Sequence, residues 1–211
     1  NYTPEYLMDN CPFCDRAKFE ERIIAETNDF FVIATLGQIT DGGYALIFPK
    51  RHILCLSALR HEEMTGLARL LLGIMNAISL EYDIFPAMFE HGIVGQTVKH
   101  AHIHLVPTKI NLTSLVDNDF PHADRSSFYI IKDGIPRQIS KELRSYLLWS
   151  FSSKYPLTNI WWNPQNVPAQ YFRTILAEAL GRPERANWRT MDPELDKRLW
   201  SETVARLKKY F

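Results

Sequence analysis

Histidine alternates with apolar residues in His100-Ala101-His102-Ile103-His104-Leu105-Val106-Pro107, and this stretch limits the fold more than any other feature of the chain. Successive side chains of a β-strand point to opposite faces. The pattern therefore predicts a strand with His100, His102 and His104 on one side and Ala101, Ile103 and Leu105 on the other. Three imidazoles in a row are costly as mere filling, because each ring brings two nitrogens that need partners once removed from water. The row points to metal binding, nucleophilic catalysis, or both. Pro107 closes the strand, since proline has no N–H to give to a ladder.

The flanking sequence supplies elements for an α+β fold. Phe30-Phe31-Val32-Ile33 and Tyr44-Ala45-Leu46-Ile47-Phe48 read as antiparallel strands separated by the turn signal Asp41-Gly42-Gly43. Over residues 62–81, Met64, Leu67, Leu71, Met75 and Ile78 recur at three- and four-residue steps, the stripe of an amphipathic helix. Met88-Phe89-Glu90-His91 and a glycine-containing loop over residues 92–95 then lead into the histidine strand. Further on, Phe128-Tyr129-Ile130-Ile131 reads as a strand and Asp133-Gly134 as a turn. One helix is predicted from Pro168 to Leu180, ahead of Gly181 and Pro183. A last helix has Asp192 as N-cap and a stripe of Leu195, Leu199, Val204 and Leu207.

With 211 residues, 46% hydrophobic and 23% charged, the chain can build one sizeable core or two small ones without staples. No uninterrupted apolar stretch approaches a membrane span, and Asn1-Tyr2-Thr3-Pro4 lacks the regions of a signal peptide, so a soluble cytoplasmic protein is expected. Residues 1–127 carry 10 Lys+Arg against 16 Asp+Glu, a net −6, whereas residues 128–211 carry 14 against 8, a net +6. This asymmetry and the polar stretch over residues 117–127 predict a catalytic domain at 1–124 and a basic C-terminal extension at 125–211. The extension either docks on the acidic part or serves as an arm for phosphates or nucleic acid; the role of its aromatic span, residues 149–162, is open. Three cysteines cannot all pair, and Cys11-Pro12-Phe13-Cys14 has a metal or redox spacing.

Gly95-Gln96-Thr97-Val98-Lys99-His100-Ala101-His102-Ile103-His104-Leu105-Val106-Pro107 resembles the signature of the histidine triad (HIT) superfamily of nucleotide hydrolases and transferases. Cys11-Pro12-Phe13-Cys14 and Phe48-Pro49-Lys50-Arg51-His52 sit where zinc-containing members have similar elements. The resemblance spans about residues 9–109. It implies a mostly antiparallel sheet with flanking helices, a homodimer, and chemistry at the α-phosphorus of a nucleotide.

The resemblance also implies roles for particular residues. Cys11, Cys14, His52 and His100 would form a closed Cys₂His₂ set for a structural zinc. His102 would attack phosphorus and form a nucleotidyl-histidine, a role that suits a neutral imidazole. His104 and Gln96 would contact the phosphate oxygens, with backbone N–H groups from the loop holding Gly95 and Thr97. Histidine at position 104 is the residue of the hydrolase branches; the transferase and phosphorylase branches use Gln. The chain departs from the pattern in having Glu90-His91-Gly92 where relatives have Asn-x-Gly, and in lacking a ribose-holding aspartate over residues 35–38. Glu90 and His91 stand as either a substrate-contacting pair or a salt-bridged surface pair. Alternatives to hydrolysis are nucleotidyl transfer with an acceptor site in the extension, a nucleic-acid-associated role, and an open metal site at His100 and His102.

Overall fold

Strands buried on both faces belong at the centre of a sheet, and β2 (Phe30–Ala34), β3 (Ala45–Pro49), β4 (Pro86–Gly92) and β5 (Ile103–Pro107) have every residue buried. The computed structural model describes residues 11–129, 145–151 and 157–211, so the predicted turn at Asp133-Gly134 lies outside the described residues. Together with β1 (Ile23–Glu26), β6 (Asp124–Tyr129), β7 (Tyr146–Ser150) and β8 (Leu157–Trp162), these strands form one antiparallel sheet in the order β1-β2-β3-β5-β4-β7-β8-β6. The fold is α+β, with the C-terminal strands continuing the sheet of the N-terminal ones through the β4–β7 pair.

Each face carries its own core. On one, α1 (His61–Tyr82) lays Leu67, Leu71, Met75 and Ile78 over Ala101, Ile103 and Leu105, and α4 (Pro193–Leu207) adds Leu207. By length and composition alone α1 could cross a membrane, but its apolar stripe is the filling of this core. On the opposite face, Phe48, Phe89, Val106, Leu147, Trp149 and Trp161 pack with Val116 of α2 (Thr113–Asp119) and Phe172 and Leu176 of α3 (Tyr171–Ala179). Trp149 and Trp161 of the aromatic span are buried in this core and present no surface to a nucleic-acid base.

Three boundaries differ from expectation. The ladder of β5 begins at Ile103, so His100 and His102 precede it. The alternation persists because the Ala101 N–H donates to the Ile53 carbonyl at 2.7 Å and keeps the chain extended. Helix α3 begins at Tyr171 instead of Pro168, because Gln170 adopts a left-handed conformation (φ 60°) and its N–H donates to the Gly95 carbonyl at 2.9 Å. Strand β6 starts at Asp124, earlier than its apolar residues suggest.

The loop between β2 and β3 is held from α4. Asp196 accepts hydrogen bonds from the Gly37 and Gln38 N–H groups at 2.9 and 3.0 Å, and Thr203 Oγ1 accepts from Gly43 N–H. Exposed ion pairs from Arg182 and Arg185 to Asp41, and from Lys209 to Glu81, join the basic and acidic halves, each worth about 0–1 kcal/mol. Asp196→Ala, which strands two buried N–H groups, is expected to destabilise the protein by about 1–3 kcal/mol with no change of slope in urea denaturation.

Candidate functional site

A cavity of about 280 Å³ opens on the α3 side of the sheet. The sheet contributes Leu46, His91, His102 and His104 to its wall, the loop before the histidines contributes Gly95, Gln96, Thr97 and Val98, and the N-terminal segment contributes Phe13, Lys18 and Arg22. Gln170, Arg173 and Trp188 enter from the C-terminal part. Among the described residues no carboxylate lines the cavity, whereas Lys18, Arg22 and Arg173 are basic. Arg22 and Arg173 are buried, and neither forms an ion pair among the described residues.

Each imidazole has one nitrogen committed. A carbonyl can only accept, so His102 Nδ1 donates to the His100 carbonyl at 2.6 Å, which leaves the Nε2 lone pair free. Phe172 N–H donates to His91 Nε2 at 3.2 Å, placing the proton of that ring on Nδ1. His104 Nδ1 lies 2.6 Å from the Tyr44 hydroxyl, and its ring stacks on Phe89 with centroids 4.2 Å apart. Burial is the first cause that depresses all three: His102 titrates at about 4, His91 at about 3, and His104 well below its ordinary value, with Arg173 opposing protonation of each. These rings are neutral near pH 7, and the positive charge of the cavity comes from its guanidinium and ammonium groups.

Beside the cavity, Cys11, Cys14, His52 and His100 bring four donor atoms within 4.8 Å of one another. Cys11 Sγ lies 3.4 Å from His100 Nδ1, Cys14 Sγ 3.3 Å from His52 Nδ1 and 3.7 Å from His100 Nδ1. A tetrahedron built on zinc-type Cys and His bonds has edges of about 3.3–3.8 Å, and the three Cys–His spacings fall in that range. His100 Nε2 donates to the Pro49 carbonyl at 2.8 Å, and this fixes the tautomer that leaves Nδ1 as a ligand. Burial lowers the titration of His100 to about 4 and also lowers that of His52, so both are neutral donors. His102 is not in the cluster. Among the described residues the four named from the sequence thus meet, and His102 stands outside the group.

The loop residues are placed by the same contacts. Gly95 has φ +67°, and a Cβ there would sit 2.9 Å from the Pro168 carbonyl oxygen, so the position demands glycine. Gln96 Nε2 donates to the Leu54 carbonyl at 2.7 Å, which orients the amide and leaves its buried Oε1 without a partner among the described residues; Gln170 Oε1 is buried and unpartnered in the same sense. Both oxygens are acceptors waiting for donors. Glu90 and His91 are neither a substrate pair nor a surface salt bridge, because consecutive strand residues face opposite ways. His91 lines the cavity, while Glu90 is buried on the α1 side, accepting from the Leu56 N–H at 2.9 Å and from the Tyr146 hydroxyl.

The family model of the HIT domain matches residues 16–111. Over those residues, a little under half of the chain, the sequence matches a HIT domain. A HIT family protein from Bacillus anthracis is similar at 29% identity over 47% of this chain and 73% of that one, with a TM-score of 0.43. A zinc-bound histidine triad family protein from Mycobacterium smegmatis is 26% identical over 48% and 77%, TM-score 0.41. A HIT family member from Bacillus subtilis is 24% identical over 46% and 72%, TM-score 0.42. No curated protein matches the sequence.

The matched HIT domain accounts for the histidines and the loop, but Cys11 and Cys14 precede it and Arg173, Gln170 and Trp188 follow it. Sequence reasoning missed Arg173 and Tyr44. Neither belongs to the histidine motif, and they lie 129 positions apart. Glu90 carries a test of the buried side. Burial raises its titration to about 8, above the ordinary value of 4.5, so the folded state holds the proton that the unfolded state releases. Its contribution to stability is present below about pH 4.5 and is lost as pH rises through about 8. Relative to the parent, Glu90→Gln should therefore gain stability between about pH 5 and about pH 9 in paired urea titrations. The buried histidines, present in both proteins, cancel in that difference.

Proposed function

We propose that the protein is a nucleotide hydrolase acting at the α-phosphorus of a nucleotidyl substrate, of dinucleoside polyphosphate or nucleoside phosphoramidate type. The observation that carries this reading is the state of His102: a buried, neutral ring whose Nδ1 is held by the His100 carbonyl, with Nε2 free at a cavity lined by basic and not acidic groups. HIT proteins are generally nucleotide hydrolases or transferases, and the match over residues 16–111 supports a reading within that broad class. His104, the residue of the hydrolase branches, favours water over another acceptor.

In this reading His102 Nε2 attacks phosphorus, the bond from phosphorus to the leaving oxygen or nitrogen breaks, and its electron pair departs with that atom. Water then attacks the nucleotidyl-histidine and gives up a proton to solvent, offsetting the proton the leaving atom takes up, while the P–N bond breaks and the nucleoside monophosphate leaves with the ring neutral again. Arg22, Arg173 and the N–H groups of the loop holding Gly95, Gln96 and Thr97 oppose the charge that gathers on the phosphate oxygens. The open Oε1 acceptors of Gln96 and Gln170 suit sugar hydroxyl or base N–H donors. Residues 1–124 carry the reacting groups and residues 125–211 complete the wall. A homodimer would form through β1, β6 or a helical face, because β7 already pairs with the β4 edge.

Zinc held by Cys11, Cys14, His52 and His100 would join the N-terminal segment to the chain around His100, with the metal outside the chemistry. The purified protein is expected to contain about one zinc per chain, and Cys14→Ser should lower both zinc content and melting temperature. Metal-free protein of equal stability, found by elemental analysis, would remove that assignment. His102→Ala should retain the fold and lose turnover of diadenosine tetraphosphate and adenosine phosphoramidate, followed by chromatography of products; His104→Ala should lose less. Undiminished turnover in His102→Ala would contradict the proposed function.

A further inference from the structure

Tyr44 links the histidine face to a residue far outside the HIT domain. Its hydroxyl is fully buried and has two partners, Arg173 Nη1 at 3.1 Å and His104 Nδ1 at 2.6 Å. A guanidinium can only donate, so Arg173 uses a lone pair of the phenol oxygen. The hydroxyl proton then has one acceptor within reach, the lone pair of His104 Nδ1. The opposite arrangement, with Nδ1–H donating to the phenol, would leave that proton buried without a partner, at a cost of about 1–3 kcal/mol.

We propose that Arg173 is a positioning residue that acts through Tyr44 to hold His104 in the tautomer with its proton on Nε2, so the C-terminal segment sets the hydrogen-bonding state of the active site. The effect on turnover rests on the nucleotide-hydrolase reading; the tautomer does not. Both ends of the relay are fixed. Gln38 accepts from the Tyr44 N–H and donates to the Tyr44 carbonyl, at 3.2 and 2.7 Å. The remaining Arg173 bonds run to the carbonyls of Gly37, Arg185 and Ala186. His104 Nε2 makes no hydrogen bond to the described residues, and the ring lines the cavity. A donor N–H at that atom meets a phosphate oxygen or leaving group; a bare lone pair would repel it. The neighbouring residue of α3 acts in the same sense, since Phe172 N–H fixes His91 in the Nδ1–H form.

The test uses the full chain labelled with ¹⁵N-histidine, reading ring tautomers by long-range proton–nitrogen correlation at neutral pH, alongside steady-state kinetics on diadenosine tetraphosphate. The wild type should show His104 as the Nε2–H form. Tyr44→Phe keeps the ring and every carbonyl tie of Arg173, so a tether role for Arg173 would survive it. It should nevertheless free His104 Nδ1, moving that nitrogen to the shift of an acceptor without a hydrogen bond, and lower kcat about ten- to a hundredfold, with KM changed much less. Arg173→Gln should disturb the same nitrogen and lower kcat further, because it also removes a charge that faces the phosphate, and the double variant should be no worse than Arg173→Gln alone. If Arg173→Gln fails to fold, Tyr44→Phe alone decides the matter. An Nδ1–H tautomer in the wild type, or an unchanged His104 Nδ1 shift in Tyr44→Phe, would overturn the proposal whether or not the substrate is turned over. Absence of turnover in a wild type with the expected tautomer would count against the hydrolase reading alone.

Discussion

Antiparallel pairing of β4 with β7 holds the two halves of the sheet in one register, and the histidine face depends on it. Phe89 stands opposite Trp149 and His91 opposite Leu147. In that register Trp149 stacks against Phe89 and Phe172, and Phe89 stacks on His104. A slip of one residue would send Trp149 to the α1 side and leave the imidazole without its support. The C-terminal segment is therefore part of the frame of the site, and the same pairing brings α3, with Phe172 and Arg173, to the cavity.

Chemistry in this cavity starts from neutral rings in a positive surround. Burial opposes charge on His91, His102 and His104, and Arg173 adds to that opposition. Protonated imidazoles would repel one another; neutral ones, each with one nitrogen tied to a fixed partner, present a defined lone pair or N–H to the ligand. His100 shows the same economy on the other side of the strand entry. Its Nε2 goes to Pro49 and its Nδ1 faces the cysteines, while its own carbonyl orients His102. One residue thus couples the four-donor cluster to the ring that carries the free Nε2.

What the sequence disclosed follows from the range of the interactions. Alternation in residues 100–107 and the stripe of α1 are local, so the strand, the helix and the two faces were readable, as was the convergence of Cys11, Cys14, His52 and His100 by resemblance to a family motif. The capping Asp192 was also visible, since it bonds the Leu195 N–H at 2.7 Å within one turn. Asp196, Tyr44 and Arg173 were not. Asp196 serves a loop 158 and 159 positions away, and nothing in its helical context separates it from an exposed acid. Glu90 and His91 were read as a pair because they adjoin in sequence; on a strand, adjacency puts them on opposite faces.

The account turns on His102 as the atom that bonds to phosphorus. The most direct measurement is the stereochemical course with a substrate chiral at an α-phosphorothioate centre. Two successive in-line displacements, first by His102 and then by water, predict retained configuration in the nucleoside thiophosphate product. Inverted configuration would mean a single direct attack by water and would contradict the nucleophilic role of His102.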